Sequence, residues 1–303
     1  MAMKKIVVTG GAGLIGSHVT DLLIGQGFEV HVVDNFSGGK KENVHKDATL
    51  HVLDIRDTKE LPKVLAGATY LFHLAALPRV QYSIEYPLET HDVNVTGTWN
   101  LFIAAKNAGV KKIIYSASSS AYGDQTELPL RESMNPLPKS PYGAQKYIGE
   151  VYVRIMAEVF KVEAVSLRYF NVYGPRFNPE GAYALVIGKF LNQRKAGQPL
   201  TITGDGKQTR DFTHVYDVAR ANLLAMQSDT VGKGEVINVG AGNNQSILRI
   251  AELVGGPVEF IPARFEPHDS LADNSKARTL LGWQPKVSIE EGIAELKKIY
   301  SLA

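Results

Sequence analysis

The run Ile6-Val7-Val8-Thr9 followed directly by Gly10-Gly11-Ala12-Gly13-Leu14-Ile15-Gly16 leaves this chain few folds to choose from. Four β-branched residues read as a buried strand, and glycines at G-x-x-G-x-x-G spacing read as a tight turn that opens a helix. Each glycine has a separate reason. Gly10 permits the turn, Gly13 lets backbone approach a pyrophosphate, and Gly16 lets the helix lie close to the strand. The N–H groups opening the helix at Leu14 and Ile15 then face the phosphates.

A second β-branched run, 29–34, ends in Asp34, about twenty residues past the loop, where a carboxylate can accept hydrogen bonds from an adenosine ribose. Loop and acid together imply a dinucleotide. Because an acid here repels a 2′-phosphate, the expected cofactor is NAD rather than NADP.

The rest of the chain repeats the alternation of short apolar runs with longer helical patterns. Strands are expected at 4–9, 29–34, 50–53, 70–73, 111–116 and 164–168, with helices near 14–26, 89–107 and 141–160. Six parallel strands with covering helices make an α/β, doubly wound parallel sheet of Rossmann type. After Gly174-Pro175 the texture changes to short elements broken by Pro and Gly. The expected division is residues 1–173 as the dinucleotide domain and 174–303 as mainly a smaller C-terminal substrate-binding lobe. Residues 212–240, with a helix near 215–226 and a strand near 236–239, return to the first domain.

Composition narrows the function classes. Thirty-three basic against 31 acidic residues, net +2, give no electrostatic footprint for nucleic acid or an anionic membrane. Zero cysteines exclude a disulfide framework and a cysteine nucleophile, and the eight histidines show no paired metal-ligand spacing, so no metal is expected. No signal-like or membrane-length apolar segment is evident, so a cytoplasmic protein is expected.

Chemistry concentrates at the end of the fifth expected strand, in Ser116-Ala117-Ser118-Ser119-Ser120-Ala121-Tyr122-Gly123, and in Ser140-Pro141-Tyr142-Gly143-Ala144-Gln145-Lys146, which opens a long helix. Tyr142 and Lys146 are four apart and share a helix face. A neighbouring ammonium and an oxidised nicotinamide both favour phenolate, which makes Tyr142 a candidate base. Taken alone, Y-x-x-x-K is more often an ordinary amphipathic helix with a buried ring. The hydroxyl cluster and the glycine loop shift the balance.

The glycine loop, Ser118 and the Tyr142/Lys146 pair resemble the extended short-chain dehydrogenase/reductase superfamily, specifically its UDP-glucose 4-epimerase-like branch acting on nucleotide sugars. Further segments resemble the family in order: Asp54-Ile55-Arg56-Asp57, His73-Leu74-Ala75-Ala76, Asn94-Val95-Thr96-Gly97-Thr98, Leu167 to Pro175, Gly204 to Phe212, and Leu280-Leu281-Gly282-Trp283.

The resemblance implies roles that the residues alone leave open. Ser118 and Ser120 would meet the sugar with Tyr142, and Lys146 would hold the nicotinamide ribose. Asn35, Ser37 and Gly38 would help bind the adenosine ribose, Asp54 and Ile55 would flank adenine, Leu74, Ala75 and Ala76 would pass beside the middle of the cofactor, and Tyr169 would sit near the nicotinamide. On the substrate side Asn171 and Arg210 would contact the diphosphate, Thr201 and Thr203 would offer backbone edges to uracil, Glu266 would hold the uridine ribose, and Ser270 would gate the sugar pocket. A guanidinium suits phosphate oxygens; the competing reading of Arg210 is a surface salt bridge with Asp211 or Asp205. The loop Arg264-Phe265-Glu266-Pro267-His268-Asp269 departs from the family's usual Arg-Pro-Gly followed by an acid, and leaves Arg264 one residue out of register.

The implied reaction is NAD-dependent 4-epimerisation of a UDP-sugar, glucose/galactose or their 2-acetamido counterparts, through a 4-keto intermediate. A sugar dehydratase typically needs Asp-Glu after Ser118, and a uronate decarboxylase a Glu at position 120; Ser119 and Ser120 stand there instead. A UDP-glucuronate 4-epimerase is the runner-up. A non-enzymatic NAD-binding protein is a minority reading, because Tyr142 and Lys146 are both kept. Apolar residues on several faces of the 89–107 and 141–160 helices, with the family's habit of pairing them, imply a homodimer.

Overall fold

The computed structural model describes residues 4–177, 186–262 and 269–302. The six expected strands form at β1 (Lys5–Thr9), β2 (Glu29–Asp34), β3 (Thr49–Val52), β4 (Ala68–His73), β5 (Lys112–Ser118) and β6 (Glu163–Tyr169). The strand Lys233–Val239 joins as a seventh, beside β6, so the sheet runs β3-β2-β1-β4-β5-β6 and then Lys233–Val239, all parallel.

Alternation along each strand fills both faces. Ile6 and Val8 enter one core with Val30, Val32, Phe72 and Ile114, while Val7 enters the other with Val33, Leu71 and Ile113. Strand order reverses between β1 and β4, and in open α/β sheets ligands bind beyond the carboxyl ends of strands at such a point.

The expected helix at 89–107 is in fact three pieces: Pro87–His91, a π-helical turn Asp92–Gly97, and Thr98–Asn107. The break has a visible cause in the polar anchoring of Asn94. Its side chain accepts from the Leu77 N–H at 2.8 Å, donates to the Leu77 carbonyl at 3.1 Å and to Gln145 Oε1 at 2.8 Å. An extra residue in the turn aims that amide at the loop following β4, as π-bulges at functional sites often do.

Beyond Tyr173 a third core forms from Tyr173, Ile187, Phe190, Leu200, Ile202, Phe212, Ile247, Ile250 and Ile293. It is built by helices Val186–Lys195, Ile247–Val254 and Ile289–Ile299 and by two short strand pairs. Leu200–Thr203 runs parallel to Val258–Ile261, and Thr209–Asp211 antiparallel to Asn244–Ser246. Among the described residues no helix is long and apolar enough to cross a membrane.

Candidate active site

At the end of β1 the loop turns as its glycines require. Gly10 sits at φ 72°, and a Cβ there would lie 2.6 Å from the backbone nitrogen of Ala75; Gly16 packs so closely that a Cβ would strike the Gly10 carbonyl. Gly13 differs. A Cβ on it would meet only its own turn, at 3.3 Å from the Gly10 oxygen, so its bare face opens outward rather than onto protein. Helix α1 (Leu14–Gly25) starts from Gly13 with no side-chain cap and no acid in its first turn, which keeps its positive end available to phosphate. These residues fit a dinucleotide.

Asp34 is buried at the end of β2, accepting from Ala12 N–H at 2.9 Å and from Phe36 N–H at 2.8 Å. It therefore fastens the glycine loop to β2. Asn35 accepts from Ser37 N–H and donates to Asp54 Oδ2 at 2.9 Å. Asp54 also grips Arg56, whose hydrogen bonds hold its carboxyl below the usual range, and Ile55 is buried beside Gly97. Gly38 has open space about it, whereas Gly39, which the sequence reading passed over, has no room for a Cβ against the Ala12 backbone. On the other side of the crevice Leu74 N–H reaches Thr9 O, Ala75 N–H reaches Thr9 Oγ1, and Ala76 follows half-buried.

The end of β5 carries Ser118, whose hydroxyl accepts from Ser120 N–H at 3.2 Å and lies near enough to Tyr142 to draw its proton affinity down. Ser140 caps the helix Pro141–Glu158 by accepting from Gly143 N–H. Gly143 is needed because Ser120 O lies 2.5 Å from where its Cβ would be, so the serine turn and the helix start in contact. Tyr142 N–H donates to Ser83 Oγ at 3.0 Å. One turn on, Lys146 Nζ donates to Ser116 O at 2.7 Å and lies 5.0 Å from the centre of the Tyr115 ring. Burial pushes the Tyr142 hydroxyl up to about 12, against the pull of Ser118, and pulls Lys146 down to about 7. Tyr169, beside Ser118 in the sheet register, donates to Asn222 Oδ1 at 2.9 Å, and burial holds its proton on.

The substrate-side residues are gathered by Asp211, which the sequence offers only as a possible surface partner of Arg210. Asp211 is fully buried, and its carboxylate accepts from Ala241, Gly242 and Ala272 N–H at 2.8, 3.0 and 2.9 Å. Those bonds offset part of the upward push of burial on its proton affinity. They also remove Asp211 as the surface salt-bridge partner considered for Arg210, which donates to Thr209 O, while Asp205 pairs with Lys207.

Asn171, at φ 31°, donates to Asp211 O at 3.2 Å and to Ser270 Oγ at 3.4 Å, and Ser270 Oγ also accepts from Asp211 N–H. Asn171, Arg210 and Ser270 thus share one corner. Thr201 and Thr203 lie on the strand edge turned away from Val258–Ile261, but Gln193 takes the Thr201 N–H and Gln208 the Thr203 carbonyl. Glu266 and Arg264 lie outside the described residues. The carboxylate of Asp211 was findable only as the acid following Arg210; nothing in its spacing announces three backbone partners.

A tyrosine and a lysine one helical turn apart, beside a strand-end serine and a dinucleotide loop, define a nicotinamide-dependent oxidoreductase-type site. Residues 6–240 match the model of the NAD dependent epimerase/dehydratase family. Over 98% of both chains, the protein is 36% identical to a UDP-glucose 4-epimerase of Mycolicibacterium smegmatis. Among solved structures it is similar to a UDP-N-acetylglucosamine 4-epimerase from Methanobrevibacter ruminantium M1 in complex with UDP-N-acetylmuramic acid (38% identity, 99% of this chain and 100% of that one, TM-score 0.92). It is also similar to a UDP-glucose 4-epimerase with UDP-glucose from Thermotoga maritima (39%, 97% and 99%, TM-score 0.91). The chain belongs to the NAD-dependent epimerase/dehydratase family, and its cofactor is NAD.

Proposed function

We propose that this protein interconverts the C4 epimers of a UDP-sugar, keeping its NAD throughout. The observation that carries this is the triad itself: Ser118 near enough to Tyr142 to draw down its proton affinity, Lys146 one turn on along the helix, and neutral Ser119 and Ser120 where an eliminating enzyme needs acids. Bound in the glycine-loop crevice, NAD would supply reversible hydride transfer at carbon 4 of the sugar. Tyr142 removes the 4-hydroxyl proton as the 4-keto sugar forms and gives it back after the sugar turns over. Ser118 holds the reacting oxygen. Left to burial, Tyr142 keeps its proton, so base function depends on positive charge nearby and on Ser118.

The remaining assignments follow the same reading. The glycine loop, Asp34, Asn35, Ser37, Gly38, Asp54, Ile55 and Leu74 to Ala76 line the cofactor, and Asn171, Thr201, Thr203, Arg210, Glu266 and Ser270 line the nucleotide sugar. Residues 174–303, apart from 212–240, act as the substrate lobe. A cytoplasmic homodimer is proposed on the family's habit of pairing the 89–107 and 141–160 helices.

The small hydroxyl of Ser270 beside Asn171 supports acceptance of 2-acetamido sugars, for which a large side chain would leave no space. The test is incubation of the purified protein with UDP-galactose, UDP-N-acetylgalactosamine and UDP-galacturonate. Expected is the C4 epimer of at least one of the first two, with no net reduction of NAD. Stoichiometric NADH, loss of water, or no conversion of any sugar would refute the proposal; conversion of the uronate alone would transfer it to the runner-up.

A further inference from the structure

The helix carrying Tyr142 and Lys146 places a third ionisable residue, Glu150, at the next i+4 position of the same face. Glu150 is buried and is held side-on by buried Arg168 of β6, with Arg168 Nε 2.7 Å from Oε1 and Nη2 2.6 Å from Oε2. The same guanidinium lies over the ring of Tyr122, 4.3 Å from its centre. Stability alone does not account for such a pair, since well-packed apolar side chains of similar volume are commonly as stabilising as a buried ion pair.

The groups facing Lys146 suggest what else it does. On its own helix are Tyr142 and Glu150. From β5 comes the Tyr115 ring and from β4 His73, while Arg168 of β6, with the Tyr122 ring beneath it, stands behind Glu150, and Tyr169 follows Arg168 on the same strand. His73 is kept neutral by burial and by Lys146, with its ring nitrogens engaged by Thr9 and Thr98. The tyrosines keep their protons in burial. Among these described groups Glu150 is the one anion, while the hydrogen-bond acceptor of Lys146, Ser116 O, is neutral.

We propose that Glu150, gripped by Arg168, is a positioning residue for the reaction: it keeps Lys146 protonated beneath Tyr142. Arg168 has two effects. It keeps Glu150 ionised against the pull of burial, and it prevents the carboxylate from swinging onto Lys146 and cancelling the charge that Tyr142 needs. The inference rests on Tyr142 being the base, but its test does not depend on turnover.

Protein labelled with 13C at lysine Cε is titrated without added nucleotide, and the Lys146 signal is assigned by its loss in Lys146→Arg. In Glu150→Gln the Lys146 midpoint should fall by about one pH unit, and Glu150→Asp should recover at least half of that. Because Glu150→Gln strands the Arg168 charge, Glu150→Leu with Arg168→Met serves as the second variant and should also lower the midpoint. The alkaline limb of the NAD-loaded enzyme's pH–rate profile should move down with it.

An unmoved Lys146 midpoint in either folded variant, whatever happens to melting temperature, would overturn the proposal. So would an alkaline limb that moves while the lysine does not. If the midpoints shift but no nucleotide sugar is converted, the role of Glu150 stands and the epimerase reading fails by itself.

Discussion

The two sides of the candidate site are held by different means. On the cofactor side, Ser118, Tyr142 and Lys146 come from a strand end and a capped helix of the main sheet, and their spacing follows from regular secondary structure. On the substrate side, Asn171, Arg210 and Ser270 come from three short or irregular segments that one buried residue, Asp211, draws together, through its backbone to Asn171 and Ser270 and through its carboxylate to the Ala272 N–H. Periodic structure positions by repetition, and irregular structure positions by individual polar contacts. The second kind is concentrated in few residues, so it is more easily broken at one point.

The largest effect is expected on the periodic side. Tyr142→Phe should lower turnover by roughly 100- to 10,000-fold with an unchanged melting temperature and little change in UDP-sugar affinity by calorimetry. Near-normal turnover would remove Tyr142 as the base.

Next is the irregular side. Asp211→Ala takes the carboxylate from three backbone N–H groups, of which that of Ala272 is buried and that of Ala241 keeps Thr213 Oγ1, and should cost about 1–3 kcal/mol of stability in denaturant unfolding. Its folded fraction should show a raised KM for the UDP-sugar and nearly unaltered NAD affinity. Equal weakening of both ligands would show that the two sides are not independently held.

Smaller and more selective is Ser270→Tyr. Turnover of UDP-N-acetylgalactosamine should drop by roughly 10- to 200-fold relative to UDP-galactose, and equal loss of both would reject the gate.

The smallest effect concerns pH. Burial pulls Lys146 down to about 7, so between that value and its ordinary one the unfolded chain binds more protons than the folded one. That contribution to stability therefore rises with pH from about 7 toward the ordinary lysine value, and the cost of burying the charge is fully present below it. Lys146→Met should abolish this part of the slope in melting temperature against pH, and should stabilise the protein most at neutral pH and below. An unchanged slope would mean that Lys146 is not desolvated.

The same contrast governs what the sequence discloses. β1, the glycine loop, Asp34 and the Tyr142/Lys146 spacing are legible because strand and helix periods are local properties of the chain. The π-turn at Asp92–Gly97 is not, because its cause is the reach of Asn94 to Leu77 and Gln145, 17 and 51 residues away. Glu150 is the third step of the helix's i+4 ladder, but its partner Arg168 lies on strand β6, 18 residues on. Asp211 and Gly39 owe their importance to backbone brought close by folding, which no spacing rule encodes. Thr201 and Thr203 were identified as an edge, and only the structure shows two glutamine amides on it.

The strand Lys233–Val239 carries a lesson for anyone cutting or grafting this protein. The chain leaves the main sheet after β6, builds half of the third core, and comes back to lay its last strand against β6 before finishing the lobe. The lobe is therefore threaded through the sheet domain rather than hung from its end. A fragment stopped at residue 174 would bare the β6 backbone along its whole length and invite edge-to-edge association. A chimera that borrows a different substrate lobe must import two junctions and the returning strand as one piece.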